Sequence, residues 1–480
     1  MSENPGKTGT TRRTFLTASA ALGAATAVTP AATAEPAELT GGRDWPDGPG
    51  ERIRKQTPDK ELRRILAEVD PRRLEATVRK LVSFGTRHTL SSQTDPVRGI
   101  GAARDWLFAE MQRYAAASGG RMTVRQQSFI QPPSPRVPEP TRITNVLATL
   151  RGTGSPGRIY VVSGHYDSRC GDPMNATSDA PGADDDASGV AAVLEMARIM
   201  ATRAPEATIL FVAVAGEEQG LYGAAHLAKE LKGAGSDVQA MFTNDIVGSP
   251  TADDGTREPG VVRLFAEGVP TSETPEQAAT RQSVGGENDS PSRQLARFAV
   301  DVASNGVTGM TVRVVYRRDR YLRGGDHIPF LQQGFPAARF TEPHENYAHQ
   351  HQDVRVENGI QYGDLIEFCD FPYLAGVTRV NAAVLWSLAN APGTPKGVRI
   401  RTSALTNATE LVWERGAEAD LAGYEVVWRP TTAADWTHRI PVGDVTAYSV
   451  PLSKDNVFFG VRAIDRTGRR SPVSFPIPAP

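Results

Sequence analysis

Three clusters between Val161 and Gly220 decide how this chain folds: Val161-Val162-Ser163-Gly164-His165-Tyr166-Asp167, Pro181-Gly182-Ala183-Asp184-Asp185-Asp186-Ala187-Ser188-Gly189, and Ala213-Val214-Ala215-Gly216-Glu217-Glu218-Gln219-Gly220. Arg158 to Val162 is short and mostly apolar and closes on Ser163-Gly164, the pattern of a buried strand. From Ala187 to Met200, apolar residues recur at 190, 193, 194, 197 and 200, the spacing of one helix face. Ile209 to Ala215 is a second continuous apolar strand, ended by Gly216. His165 and the Glu217-Glu218 pair therefore stand just past the carboxyl ends of buried strands. In open α/β sheets that edge is where ligands bind.

The residue types narrow the ligand. An imidazole, an acidic triplet and a Glu-Glu pair on one sheet edge crowd several carboxylates together. Without a cation, like charges in a partly dry cleft raise one another's pKa. Mixed imidazole and carboxylate donors suit Zn²⁺ and similar first-row ions. A metal centre explains the whole cluster at once.

A chain of 480 residues has room for two or three domains. Its 39% hydrophobic and 22% charged content is that of a soluble globular protein, and a net charge of −2 gives no reason to expect nucleic acid or an anionic membrane as partner. The two cysteines, Cys170 and Cys369, exclude a disulfide scaffold and a thiolate zinc site, leaving room for one disulfide in an exported protein. Thr11-Arg12-Arg13-Thr14-Phe15-Leu16 precedes an Ala/Gly-rich apolar stretch and a small-residue site at Ala32-Thr33-Ala34. Residues 1–34 therefore read as a twin-arginine export signal, and the mature protein is expected to be secreted. No later segment has the roughly 18 apolar residues of a membrane span.

Along the chain, residues 35–58 are rich in Pro, Gly and charge and read as a flexible mature terminus. Helices are expected over 61–69, 71–84 and 100–115, then β character over 122–129 and a strand over 144–150. After the metal-site run come a helix over 221–231, a strand over 240–247 ending near Asp245, a helix over 292–303, a strand over 336–341 and a long helical period over 362–388. The stretches 251–260 and 271–291 read as surface loops. Strands alternating with helices from 59 to 391 argue for an α/β domain with a mostly parallel central sheet flanked by helices. Residues 392–396 form a linker. Short strands from 397 to 480 then indicate a small all-β sandwich.

The order Gly164-His165-Tyr166-Asp167, Pro181 to Gly189, Gly216-Glu217-Glu218, Asn244-Asp245, Asp326-His327 and His349 to Asp353 resembles metallopeptidase family 28. This family includes secreted two-zinc aminopeptidases, glutamate carboxypeptidases and glutaminyl cyclases. The resemblance implies two Zn²⁺ ions, one held by His165 and Asp245, the other by Glu218 and His349, with Asp185 bridging. It implies that His349, four residues before Asp353, is the ligand in preference to His351. Asp167 and Asp353 would orient the two imidazoles, and Glu217 would act as the general base. Tyr321 and Arg323 are the candidate donors to the transition-state oxygen, while Asp326 and His327 are expected to be structural or to support the ligands from behind, not to be ligands themselves. The Asp185–Asp186 peptide is expected to be cis. The implied activity is removal of residues from peptide or protein amino termini, with a carboxypeptidase, a glutaminyl cyclase or a non-catalytic surface-binding protein as rivals. The C-terminal segment, with Trp413, Leu421-Ala422-Gly423-Tyr424 and Val461 to Asp465, resembles a fibronectin type III domain, and either a polymer or cell-surface partner or a spacer role would suit it.

Overall fold

The computed structural model of the protein describes residues 46–479; the twin-arginine segment at 1–34 lies outside the described residues. Strand Ser155–His165 sits between Ala207–Val214 and Asp237–Asn244 and runs parallel to both. Ala337–Thr341 continues the parallel set beyond Asp237–Asn244. One edge is closed by Thr141–Leu150, antiparallel to Ala207–Val214, and then by Met122–Gln131, antiparallel in turn. The nine residues joining those two strands are too few for a crossover helix, which fixes the hairpin. At the other edge Val261–Phe265 runs antiparallel to Ala337–Thr341, with Thr311–Val315 beside it. The eight-stranded sheet is thus parallel at its centre and mixed at its borders.

Alternate residues of each central strand face opposite layers. Ile209, Phe211 and Ala213 join the core beneath helices Pro71–Val82, Ile100–Ala116, Ala187–Met200 and Phe371–Asn390. Leu210, Val212 and Val214 point the other way, against helices Tyr222–Gly233 and His327–Gln332. Ala187–Met200 begins on Asp186, whose carboxylate accepts from the Gly189 amide at 3.0 Å. The first turn of this helix lies directly on the strand bearing His165: a Cβ at Gly164 would stand 2.6 Å from the Gly189 carbonyl carbon.

Several elements depart from the sequence reading. The expected loop 271–291 contains helix Pro275–Val284, which buries no residue and starts on a Thr274–Gln277 capping box. A helix without an apolar face has no hydrophobic period to read. The short strands Val261–Phe265 and Thr311–Val315 were not expected. The helix expected from 362 begins only at Phe371, where Asp370 caps it and Pro372 occupies the first turn. Ahead of it lies a hairpin of Arg355–Glu357 and Ile360–Tyr362. Cys170 and Cys369 are both free thiols.

The C-terminal residues form two four-stranded sheets around Leu411, Trp413, Tyr424, Trp428 and Phe459. One strand is borrowed. Glu51–Arg52, within the segment expected to be flexible, pairs with His438–Gly443, and Pro49 O accepts from Trp428 Nε1 at 2.7 Å. Nor is the 392–396 linker a free tether. Gly393 N donates to Glu418 Oε1 at 2.7 Å, and Arg158, on the central strand, reaches the same oxygen at 2.8 Å. Buried Asp289 accepts from Arg297 at 2.8 Å and from Arg429 of the sandwich at 2.6 Å. Among the described residues, no helix is long and apolar enough to cross a membrane.

Candidate metal centre

His165 is the last residue of its strand, and Asp245 directly follows the neighbouring parallel strand. Asp185 lies in the loop that starts helix Ala187–Met200, and the Asp185–Asp186 peptide is cis. His165 Nε2 stands 3.0 Å from Asp185 Oδ1 and 3.8 Å from Asp245 Oδ1. The other carboxylate oxygen, Asp185 Oδ2, lies 2.9 Å from His351 Nε2, which is 3.0 Å from Glu218 Oε1. Two sets result, His165/Asp185/Asp245 and Asp185/Glu218/His351, each with its donor atoms within 4.8 Å of one another. Asp185 gives one oxygen to each set.

The electrostatics fit a cation in both sets. Burial alone would depress the His165 pKa, yet Asp186, Asp167, Asp185 and Asp245 together hold it well above the usual imidazole range. The same opposition, with Glu218 and Asp185 outweighing burial, takes His351 up to about 10. Burial opposes ionisation of Asp185, but His351 and His165 hold its pKa well below the ordinary carboxylate value. Buried Glu218 accepts from Arg169 Nε at Oε2, at 2.9 Å, and turns Oε1 to His351. Carboxylates converging on two imidazole nitrogens draw in positive charge, and the imidazole-carboxylate donors match zinc.

His349 is not in either set. Its ring stacks on Phe368, with centroids 3.5 Å apart and planes 8° from parallel. The expectation failed because the loop is a turn: the amides of His349 and Gln350 both donate to Asn346 O, and His351 adopts φ 54°. His351 stands in the second donor set instead. Asp353 orients neither imidazole; it accepts from the Gly171 amide at 3.2 Å. The His351 Nδ1 partner is Arg169 Nη2, at 2.6 Å.

Asp167 meets the His165 ring through its main-chain oxygen, 3.1 Å from Nδ1. Its carboxylate accepts from the amides of Glu217 (3.3 Å) and Glu218 (3.2 Å) and from Thr89 Oγ1 (3.0 Å). Tyr321 is 76% exposed and does not line the cleft over the metal centre, whereas Arg323 does. Asp326 and His327 join neither set; His327 Nε2 lies 2.8 Å from Arg318 O.

Sequence reasoning missed the frame behind the ligands. Fully buried Arg87 donates to Tyr166 O at 2.7 Å, Pro181 O at 2.5 Å and Gly182 O at 2.8 Å, tying the His165 segment to the Asp185 loop. Asp186 accepts from the His165 amide at 2.9 Å, and Asp364 accepts from the amides of Asp184 and Asp185 at 2.8 and 2.7 Å. Arg339 contacts Asp245 Oδ1 at 2.9 Å. The acidic triplet was the one visible signal for this frame. Its members have divided roles: Asp185 belongs to both donor sets, Asp186 is the helix cap, and Asp184 holds the Gly248 amide at 2.6 Å.

A cleft of about 590 Å³ opens over the centre, with Glu217, Arg136, Arg320 and Arg323 in its walls. Glu217 is half-buried. Burial raises its pKa well above the ordinary value, with Asp245 and Glu218 adding to the rise and His165 opposing it.

Residues 145–368 match the model of peptidase family M28. A probable zinc metalloprotease of Leptosphaeria maculans is 55% identical over 424 residues, covering 88% of this chain and 98% of its own. A probable zinc metalloprotease of Pyricularia oryzae is 55% identical over 435 residues, 89% of this chain and 87% of that one. In fold the chain is similar to Legionella pneumophila LapB, at TM-score 0.50 and 18% identity over 71% of this chain and 78% of that one. A catalytic body of this architecture, two donor sets sharing one aspartate, and relatives more than half identical over most of their length lead to one conclusion: the chain belongs to peptidase family M28 and is a zinc metallopeptidase.

Proposed function

We propose that the protein is a secreted two-zinc aminopeptidase that removes residues from the amino termini of peptides, with Glu217 as general base. The observation supporting this reading is that Asp185 divides its two oxygens between two donor sets while Glu217 stands in the same cleft wall. Zinc in these sets would polarise the scissile carbonyl and acidify a water. Asp167 holds the adjacent amides of Glu217 and Glu218, so the two side chains diverge from one fixed turn. Glu218 faces His351, leaving the Glu217 carboxylate free to take the water proton and hand it to the leaving amine. Arg87 and Asp186 keep His165 and Asp185 in register, which limits the reorganisation the reaction demands.

Glu217→Gln tests the assignment. Turnover should fall by about 10²–10⁴-fold while zinc content stays at the wild-type level. Near-native activity, or loss of zinc, would overturn the role of Glu217. Matched peptides with free and acetylated amino termini test the direction of attack: only the free form should be trimmed. Cleavage of the acetylated form from its carboxyl end would instead mark a carboxypeptidase, and ammonia release from an N-terminal glutamine a cyclase.

A further inference from the structure

Among the described residues, the guanidiniums at and behind the cleft wall outnumber the carboxylates paired with them. Glu345 is shared by three guanidiniums: Arg323 at 2.6 Å, Arg320 at 3.3 Å and Arg263 at 3.6 Å. Arg320 has a second carboxylate in Asp319, at 3.0 Å, and Arg339 is matched by Asp245 at 2.9 Å. That leaves Arg263 and Arg323 on one carboxylate. Arg263 is the more enclosed, its side chain 19% exposed, and turns its Nε to the Glu342 main-chain oxygen at 2.6 Å. Arg323 is 32% exposed and lines the cleft. Only one of its five side-chain N–H groups is used, in the Glu345 contact. Across the cleft Arg136 is exposed and, among the described residues, donates only to Glu218 O, at 2.9 Å, with no carboxylate partner. Every carboxylate lining the cleft is either in a donor set or is Glu217.

We infer that Arg323, assisted by Arg136, binds a carboxylate of the peptide substrate within a residue or two of the scissile bond, making this cleft selective for acidic or carboxyl-terminated short peptides. The inference rests on the peptidase reading above. A planar guanidinium with unused donors pairs with a carboxylate through two parallel hydrogen bonds, a geometry no neutral amide can match. Size agrees, since a cleft of about 590 Å³ holds a ligand of short-peptide dimensions. This role replaces the expected one for Arg323. A donor to the transition-state oxygen would act on every substrate alike, whereas a carboxylate reader separates acids from amides.

The test uses zinc-loaded full-length protein and two pairs of peptides. Leucyl-leucine against its C-terminal amide probes the α-carboxylate; leucyl-glutamate amide against leucyl-glutamine amide probes a side-chain carboxylate. Each is made cleavable for turnover and N-methylated at the scissile bond for calorimetric binding. The acid of at least one pair should be favoured by on the order of 10- to 100-fold, the effect of one hydrogen bond to a charged group, and the preference should shrink with salt. Which pair responds identifies the source of the carboxylate. Arg323→Met should bring that acid-to-amide ratio towards one in both binding and turnover, and Arg323→Lys should restore part of it. Equal binding of acid and amide by the wild type, or an unchanged ratio in Arg323→Met, overturns the inference. A fall in turnover on acid and amide alike, with the ratio kept, assigns Arg323 to the transition state instead. Binding that discriminates without any hydrolysis would leave the inference standing and sink the aminopeptidase reading.

Discussion

His165 and Asp245 are carried by neighbouring parallel strands, whereas Glu218 and His351 come from loops far apart in sequence. The strand-borne pair is placed by main-chain pairing of Ser155–His165 with Asp237–Asn244 and by buried supports: Asp186 on the His165 amide and Arg339 on Asp245. The loop-borne pair is held by side chains and not by strand pairing. Glu218 is fixed by Asp167 at its amide, by Arg136 at its main-chain oxygen and by Arg169 at its carboxylate. His351 stands on a turn at positive φ, 23% exposed, with Arg169 against its ring. A ligand on a strand end inherits the rigidity of the sheet, whereas one on a loop depends on side chains that can be displaced.

The strongest way to break this comparison is at the residue common to both halves. Asp185→Ala should release all bound zinc and cost more turnover than the ~100-fold typical of losing an outer partner of a metal ligand. The two histidines then separate the halves. His351→Ala should lose one zinc equivalent by elemental analysis, while His349→Ala, which removes only the stack on Phe368, should keep both. The reverse result would restore His349 as the ligand and show that the 346–353 loop rearranges when zinc binds.

Arg87 sharpens the strand-borne side. Arg87→Met leaves the buried carbonyls of Tyr166 and Pro181 without their donor and removes one of the two donors to Gly182 O, the other being the Ala187 amide. Folding stability should drop by about 3 kcal/mol, summed over lost bonds to a charged group and unsatisfied acceptors. Denaturant melts of the zinc-free protein check it without interference from metal binding. An unchanged midpoint would mean water replaces the guanidinium.

Protonation gives a smaller effect. Glu217 must be ionised to act as base, and burial raises its pKa, so activity is present above that pKa and lost as pH falls through it. In the zinc-free protein the Glu217 carboxyl should therefore titrate above the ordinary carboxylate range, read by NMR of labelled glutamate side chains, and bound zinc should pull that pKa down. A zinc-free titration at or below pH ~4.3 would overturn the burial argument. Smallest of all, Tyr321→Ala should leave kcat/KM within a factor of about two, since an exposed ring away from the site contributes little.

Where the chain could be read directly, one local property decided the outcome. His165 ends an unbroken apolar strand, Asp245 directly follows one and Glu218 lies in the turn just beyond one, and a parallel sheet brings such ends to one edge, which made all three legible. Asp185 was legible as part of an acidic triplet that only a cation or a set of amide donors can tolerate. The same signal did not divide labour among Asp184, Asp185 and Asp186, because their roles depend on Gly248, Asp364 and the His165 amide, all remote in sequence.

Sequence by itself determined the apolar strands, the helix periods and the kind of chemistry at the sheet edge, because these depend on residues within a turn or two of each other. Only the tertiary structure decided which histidine completes the second set, since a spacing of four residues before Asp353 says nothing about the turn around Asn346. It also decided that residues 46–58 and the C-terminal sandwich join the main body, through Glu51–Arg52 pairing at His438–Arg439 and the buried Arg297–Asp289–Arg429 bridge. The histidine was decided by the hydrogen bonding of a turn, which the spacing of residue types does not record. The ion pairs and strand addition that tie in the sandwich link positions 140 residues or more apart, and their energy depends on burial and geometry that no local pattern records.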